Sequence, residues 1–132
     1  YMVELHSKVF GSENLLEKLK GKLNVVIHYA IDGERVVGYK IGYPLSNTKF
    51  YSWLGGVDPE YRKLGIASQL MKEQHQYLRE KEFTIVQTKT MNKWKGMLIL
   101  NLKHGFDIIE TYRDEKGLHK IVLEKNLLKE MV

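Results

Sequence analysis

The chain has 132 residues, enough for one hydrophobic core, with 43% hydrophobic residues and a formal net charge of +5. It has no cysteine, which excludes disulfides, a thiolate nucleophile and zinc–thiolate sites and fits a cytoplasmic location. No stretch approaches the roughly 20 apolar residues of a membrane helix, so no membrane partner is expected. The positive charge points to an anionic partner, but its lysines and arginines are dispersed along the chain, which argues against a nucleic-acid-binding arm.

A short apolar-periodic stretch, Val3, Leu5, Val9 and Phe10, ends at Gly11. Ser12 can then cap a helix that carries Leu15, Leu16 and Leu19 and stops at Gly21. Val25–Ile31 and Val36–Tyr43 read as strands joined by Asp32-Gly33, a dipeptide suited to the positive φ of a tight hairpin. A third strand, Phe50–Val57, follows the Ser46-Asn47-Thr48 turn; Gly55-Gly56 near its end marks a bulge or a close backbone approach. Ile66–Lys81 has helical periodicity, with His75 on its outer part, and Phe83–Lys89 is rich in β-branched residues. Asn92 can cap a helix containing Met97, Leu98, Leu100 and Leu102, closed by Gly105. Phe106–Tyr112 and Leu118–Leu123 form a last hairpin around Asp114–Gly117. The order predicts one α/β domain: a mixed, mostly antiparallel central sheet with helices on both faces and a parallel crossover from Phe50 to Lys89.

The turn Arg62-Lys63-Leu64-Gly65-Ile66-Ala67 runs into a helix. The first N–H groups of a helix lack intrahelical partners, and its dipole leaves roughly half a positive charge there, so the segment can cradle a phosphate. Gly65 lets the backbone come close to an anion, Ala67 leaves the helix start uncrowded, and Arg62 and Lys63 add charge at the rim. No Gly-Lys-Ser/Thr ending and no three spaced glycines follow, which excludes a Walker loop and a dinucleotide fingerprint. Taken alone, the arginine and glycine would also fit an ordinary loop-to-helix junction.

Val57-Asp58-Pro59-Glu60-Tyr61-Arg62-Lys63-Leu64-Gly65-Ile66-Ala67 resembles the central motif of the GNAT superfamily of N-acetyltransferases, and the likeness extends from about residue 23 to 125 through Gly38, the Asn92 segment and Gly105-Phe106. The resemblance implies a GNAT-like sheet whose central strands splay apart at an acetyl-CoA site. Arg62, Lys63, Leu64, Gly65, Ile66, Ala67 and Ser68 would hold the pyrophosphate, mostly by backbone N–H groups. Gly55, Gly56 and Val57 would pair with the pantetheine amides like an added strand, and Asn92 or Asn101 would bond that arm. For Asn92 a simple helix cap competes with this role, and for Asn101 a satisfied core amide.

The implied reaction is direct attack of an amine on the acetyl thioester, with an oxyanion met by a backbone N–H near Gly56 or Val57. An alkylamine of pKa about 10.4 is neutral in on the order of one molecule in a thousand at pH 7, so a base must remove its proton. The family's usual proton donor, a tyrosine four residues before the Gly of Gly-Phe, falls on Asn101, and its acidic position falls on Ser52 or Trp53. Tyr51 or Tyr112 could replace the donor, and His28, His75, Glu110 and His119 are candidate bases, but spacing selects none. The catalytic residues are therefore unassigned.

Tyr29, Tyr39, Tyr43, Tyr51 and Trp53 pack among the strands, or in part line an acceptor cleft. Family members open with a strand before the first helix, whereas this sequence starts near that helix, with Tyr1. Truncation, or a homodimer formed at the uncovered edge, is the expectation. The expected function is acetyl-CoA-dependent N-acetyl transfer to a primary amine, with no metal. A CoA-binding module without catalysis is the alternative, and a basic nucleic-acid-binding domain comes third.

Overall fold

The computed structural model describes residues 24–128; the stretch Val3–Phe10 and the helix expected after Ser12 lie outside them. Val26–Asp32 (β1) and Arg35–Pro44 (β2) form an antiparallel hairpin, with Gly33 supplying a φ of +63° at the turn. Lys49–Val57 (β3) returns antiparallel to β2 after a turn in which Ser46 Oγ accepts from the N–H groups of Thr48 and Lys49. A 3-10 turn at Pro59–Tyr61 leads into helix α1, Ile66–Glu80. Then follow Ile85–Met91 (β4), helix α2 at Lys95–Lys103, Asp107–Arg113 (β5) and His119–Asn126 (β6).

The described strands make one six-stranded sheet in the order β1-β2-β3-β4-β6-β5. Only β3 and β4 run parallel among them; the other pairings are antiparallel. Phe50, Val86, Ile121 and Leu123 from the sheet meet Met71 and Leu78 of α1, Phe106 and Leu127 in one buried cluster, with Leu98 and Leu100 of α2 against it. Both described helices thus lie on the same face. Each of these large side chains, once fully buried, contributes about 1.5–3 kcal/mol. Tyr39 and Ile41 point to the opposite face, where Val36, Trp53 and Leu54 pack against them.

Four expectations shift. The bulge in β3 is at Trp53, not at Gly55-Gly56: Ile41 faces Leu54 while Gly42 faces Ser52, leaving Trp53 as the extra residue. The glycine this bulge requires is across the ladder, because a Cβ on Gly42 would stand 2.3 Å from the Phe50 ring and 2.5 Å from the Tyr51 carbonyl oxygen. β4 begins at Ile85 rather than Phe83, whose N–H still donates to Leu78 O and closes the end of α1. Asn92 is not the cap of α2: it sits in a turn closed by Trp94 N–H to Met91 O, and the helix starts three residues later behind Trp94. His75 is not on an outer surface but 2% exposed, on the stripe that includes Met71 and Leu78.

His75 Nδ1 lies 2.9 Å from Lys125 Nζ, so a neutral ring accepts from the ammonium and carries its proton on Nε2. Burial, then the charges of Lys125 and Lys40, push the His75 pKa down to about 2. An unfolded chain protonates this ring below about pH 6.5 while the folded chain does not. Its stabilising contribution is therefore complete above that pH and is lost as pH falls toward 2, by as much as about 1.4 kcal/mol per pH unit. Thermal midpoints are expected to fall steadily from pH 7 to pH 5. His75→Gln, which keeps an acceptor for Lys125 but cannot titrate there, is expected to give a shallower decline, the remainder coming from His28 and His104; equal slopes would contradict this assignment.

Candidate functional site

The parallel pairing of β3 with β4 runs only from Lys49 opposite Ile85 to Ser52 opposite Thr88. Thr88 Oγ1 closes the last rung by donating to Ser52 O at 2.8 Å. Beyond it the strands diverge: Lys89–Met91 pair with β6, and Leu54–Val57 with β2. A notch is left between them, and the edge of β3 that lines it, including Gly55, Gly56 and Val57, has no strand partner there among the described residues. Backbone donors and acceptors in such a place require another partner, water or a ligand.

The notch opens at the end where β3 passes into α1. Gly65 stands at the helix start with φ +82°, its carbonyl accepting from Gln69 N–H at 3.0 Å. Among the described residues no side chain caps this end, and no acidic residue lies in the first turn. The N–H groups of Ile66, Ala67 and Ser68 therefore precede the first intrahelical bond, and the positive end of the helix dipole is uncompensated. A Cβ on Gly65 would meet nothing within 4 Å, so the space above it is open. Arg62, Lys63 and Leu64 are exposed around it; Arg62 Nε reaches Val57 O at 3.4 Å, and Lys63 adopts a positive φ of 66°.

Asp58, a motif residue to which the sequence assigns no role, holds this turn. It is 1% exposed, accepts from Glu60 N–H at 3.0 Å and from Arg35 at 2.9 Å, and its own N–H donates to Val37 O. An acid immediately before Pro59, able to cap the turn, was the available signal. Its charge faces Arg35, not the cradle.

Ser68 Oγ is 2.7 Å from His104 Nε2, tying the start of α1 to the end of α2. Asn101, on α2, is 2% exposed, and its carbonyl accepts from His104 and Phe106 N–H while Gly105 turns the chain with φ +90°. Asn92 is exposed just after β4, at the same open end as Val57. The structure thus brings the Gly55–Val57 edge, the Arg62–Ser68 turn and α2 around one opening.

The opposite face of the sheet carries aromatics. Tyr43 meets Tyr51 and Trp53 edge-on at ring-centroid distances of 5.5 and 5.7 Å. Lys89 Nζ stands 6.0 Å from the Tyr51 ring and 5.5 Å from that of Tyr112, so the cation these rings hold is the chain's own. Tyr39 is buried, with Trp53 packed against its cluster, and Tyr29 is exposed. Burial, then Tyr43 and Tyr112, push the Tyr51 hydroxyl up to about 12. Of the candidate bases, His28 lies on β1, two strands from the notch, and Glu110 is exposed on the outermost strand, β5. His75 is enclosed in the interior, and His119 is exposed at the start of β6.

Among family models, one described as an acetyltransferase (GNAT) domain matches residues 24–108, more than half of the chain. The chain belongs to the GNAT acetyltransferases. No curated protein matches it in sequence. The ribosomal-protein-S18-alanine N-acetyltransferase from Escherichia coli shares the fold at TM-score 0.81 and 11% identity, over 96% of this chain and 85% of that one. A GNAT family acetyltransferase from Elizabethkingia anophelis, solved with acetyl-CoA bound, superposes at TM-score 0.76 and 19% identity over 93% and 88% of the two chains. Ard1 from Thermoplasma volcanium does so at TM-score 0.68 and 22% identity over 71% of this chain; the match spans 65% of the length of Ard1. Among the described residues, no group of His, Cys, Asp and Glu is placed to hold a metal, and no helix is long and apolar enough to cross a membrane.

The role of Asp58 is open to a direct check. Asp58→Ala removes the acceptor for Glu60 N–H and the partner of Arg35, and is expected to cost about 1–3 kcal/mol in thermal or urea unfolding. Asp58→Asn, which keeps an acceptor for the turn, is expected to lose less. Wild-type stability in both variants would remove Asp58 as the support of the turn.

Proposed function

We propose that this GNAT chain transfers an acetyl group from acetyl-CoA to a primary amine by direct attack. One observation carries the reading: the uncapped, acid-free start of α1 opens onto the notch where β3 and β4 part. Pyrophosphate on the N–H groups of Ile66, Ala67 and Ser68, flanked by Arg62, Lys63 and Leu64, satisfies those donors and the helix dipole together. Gly65 leaves room for the oxygens. From there the pantetheine arm runs inward along Leu54–Val57, taking the place of the missing strand. Asn101 stands over its course on α2, and Asn92 at the mouth.

The sulfur end of the arm then lies toward the closed end of the notch, near the last rung at Ser52 and Thr88. A backbone N–H of the β3 edge receives the developing oxyanion. The acceptor approaches from the face that carries Tyr43, Tyr51, Trp53 and Tyr112. Lys89, already seated against two of those rings, disfavours a second bare ammonium there, so the amine must shed its proton before attack.

A second reading, CoA binding without transfer, is favoured by Asn101, whose amide cannot donate a proton to a leaving thiolate. Thiol release from acetyl-CoA across polyamines, amino acids, aminoglycosides and peptides separates the two. Release with at least one acceptor is expected; none, in a chain that binds CoA, supports the second reading. Gly65→Glu sets bulk and negative charge at the cradle and is expected to weaken acetyl-CoA binding more than about ten-fold in a folded protein. Unchanged affinity would place the phosphates elsewhere.

A further inference from the structure

Lys40 is a buried charge that neither the core nor the cradle explains. It stands mid-way along β2, opposite His28 of β1 on one side and Gly55 of β3 on the other. Its side chain crosses Gly55, with Cγ and Nζ 3.8 and 3.9 Å from the point a Cβ there would occupy. The ammonium is thus carried from β2 over β3 toward the notch, on the face covered by α1. Lys40 is 8% exposed, and burial lowers its pKa to about 8.

Among the described residues, no group around it forms an ion pair with it. His28 on β1, His75 on α1 and His104 after α2 all feel its charge, and burial is the first cause lowering each. Lys125 on β6 contacts His75, and Glu73 on α1 acts on His28. Gln74 of α1, fully buried on this face, has neither amide atom hydrogen-bonded. Among the described residues no carboxylate contributes to the titration of Lys40. An ammonium kept in the interior without an anion is costly, whereas a methionine would fill the same space freely. Its position makes sense if negative charge appears beside it during the reaction.

We propose that Lys40, reaching over Gly55, is the proton donor to the departing CoA thiolate. The inference rests on the acetyl-transfer reading above. In this step the amine nitrogen bonds to the thioester carbonyl carbon, the C–S bond breaks with its electron pair on sulfur, and an Nζ proton of Lys40 passes to that sulfur. Lys40 is left neutral and recovers a proton from solvent; the proton shed by the attacking amine leaves through water. A donor near 8 and a thiol of pKa about 8.5 are closely matched, which is the condition for efficient proton transfer. Tyr51, near 12 and on the other face, is a much weaker acid. Lys40 thereby supplies what the Asn101 amide cannot.

The test reads the thiol of bound CoA directly, through the ultraviolet absorbance of its thiolate, and needs no acceptor. In the wild-type complex the thiol is expected to titrate about one pH unit or more below free CoA, because Lys40 stabilises the thiolate. Lys40→Met, expected to fold since it removes a buried charge, should return the thiol to its free value. Lys40→Arg should keep the shift, yet with a working acceptor its kcat should fall about a hundred-fold, because a guanidinium does not give up its proton. A bound thiol that titrates alike in wild type and Lys40→Met would overturn the role of Lys40 while leaving acetyl transfer standing. Absence of CoA binding to the wild type would instead overturn the acetyl-transfer reading, and this role with it.

Discussion

Past Ser52 and Thr88 the two parallel strands at the centre of the sheet share no more rungs, and the rest of the site follows from that parting. A continuous sheet would satisfy the backbone of Leu54–Val57 on both sides; here β2 satisfies one side only. The same divergence leads β3 toward the start of α1, which Ser68 ties through His104 to the end of α2 at the opening. The parting has a local cause on β3. The extra residue at Trp53 bends the strand, and Gly42 allows the close approach this requires from β2. Thr88 ends the paired region with a side-chain hydrogen bond, so the closed end of the notch is defined by specific atoms.

Charge is distributed to match. At the mouth, the start of α1 has no acid in its first turn, and the nearby acids Asp58 and Glu60 both lie against Arg35. Under α1, the polar side chains Lys40, Gln74, His75 and Lys125 are held in an interior that lowers every basic pKa it encloses. His75 weakens the fold as pH falls below about 6.5, a cost that the core of Phe50, Met71, Leu78, Phe106 and Leu123 must offset. Such buried polar groups often coincide with function.

Much of this was legible in the sequence because it depends on local signals. Asp32-Gly33, Gly105 and Gly117 mark real positive-φ turns, and the helix start at Ile66 is where the Arg62–Ala67 pattern puts it. What was not legible is non-local. No residue in β3 reveals that its partner on one side runs out at Ser52, and the glycine that permits the bulge belongs to another strand. Asn92 misled because asparagine favours tight turns as strongly as helix caps, and here the turn prevails. His75 was readable after all: with Met71 and Leu78 it shares the i, i+4, i+7 stripe that faces the core. Lys40 lies between Gly38 and Gly42 on one face of β2, a pattern that leaves room for a long side chain to fold inward, but a strand lysine is ordinarily solvated.

In the proposed function, acetyl-CoA fills the place of the missing strand and rests its phosphates on α1. Backbone amide shifts in a 15N-labelled sample titrated with acetyl-CoA test it most directly. Binding there gives saturable changes concentrated at Leu54–Val57 and at Gly65–Ser68, with β1 and β5 nearly still. Changes centred on β1 or β5, or shifts that never saturate, would contradict it.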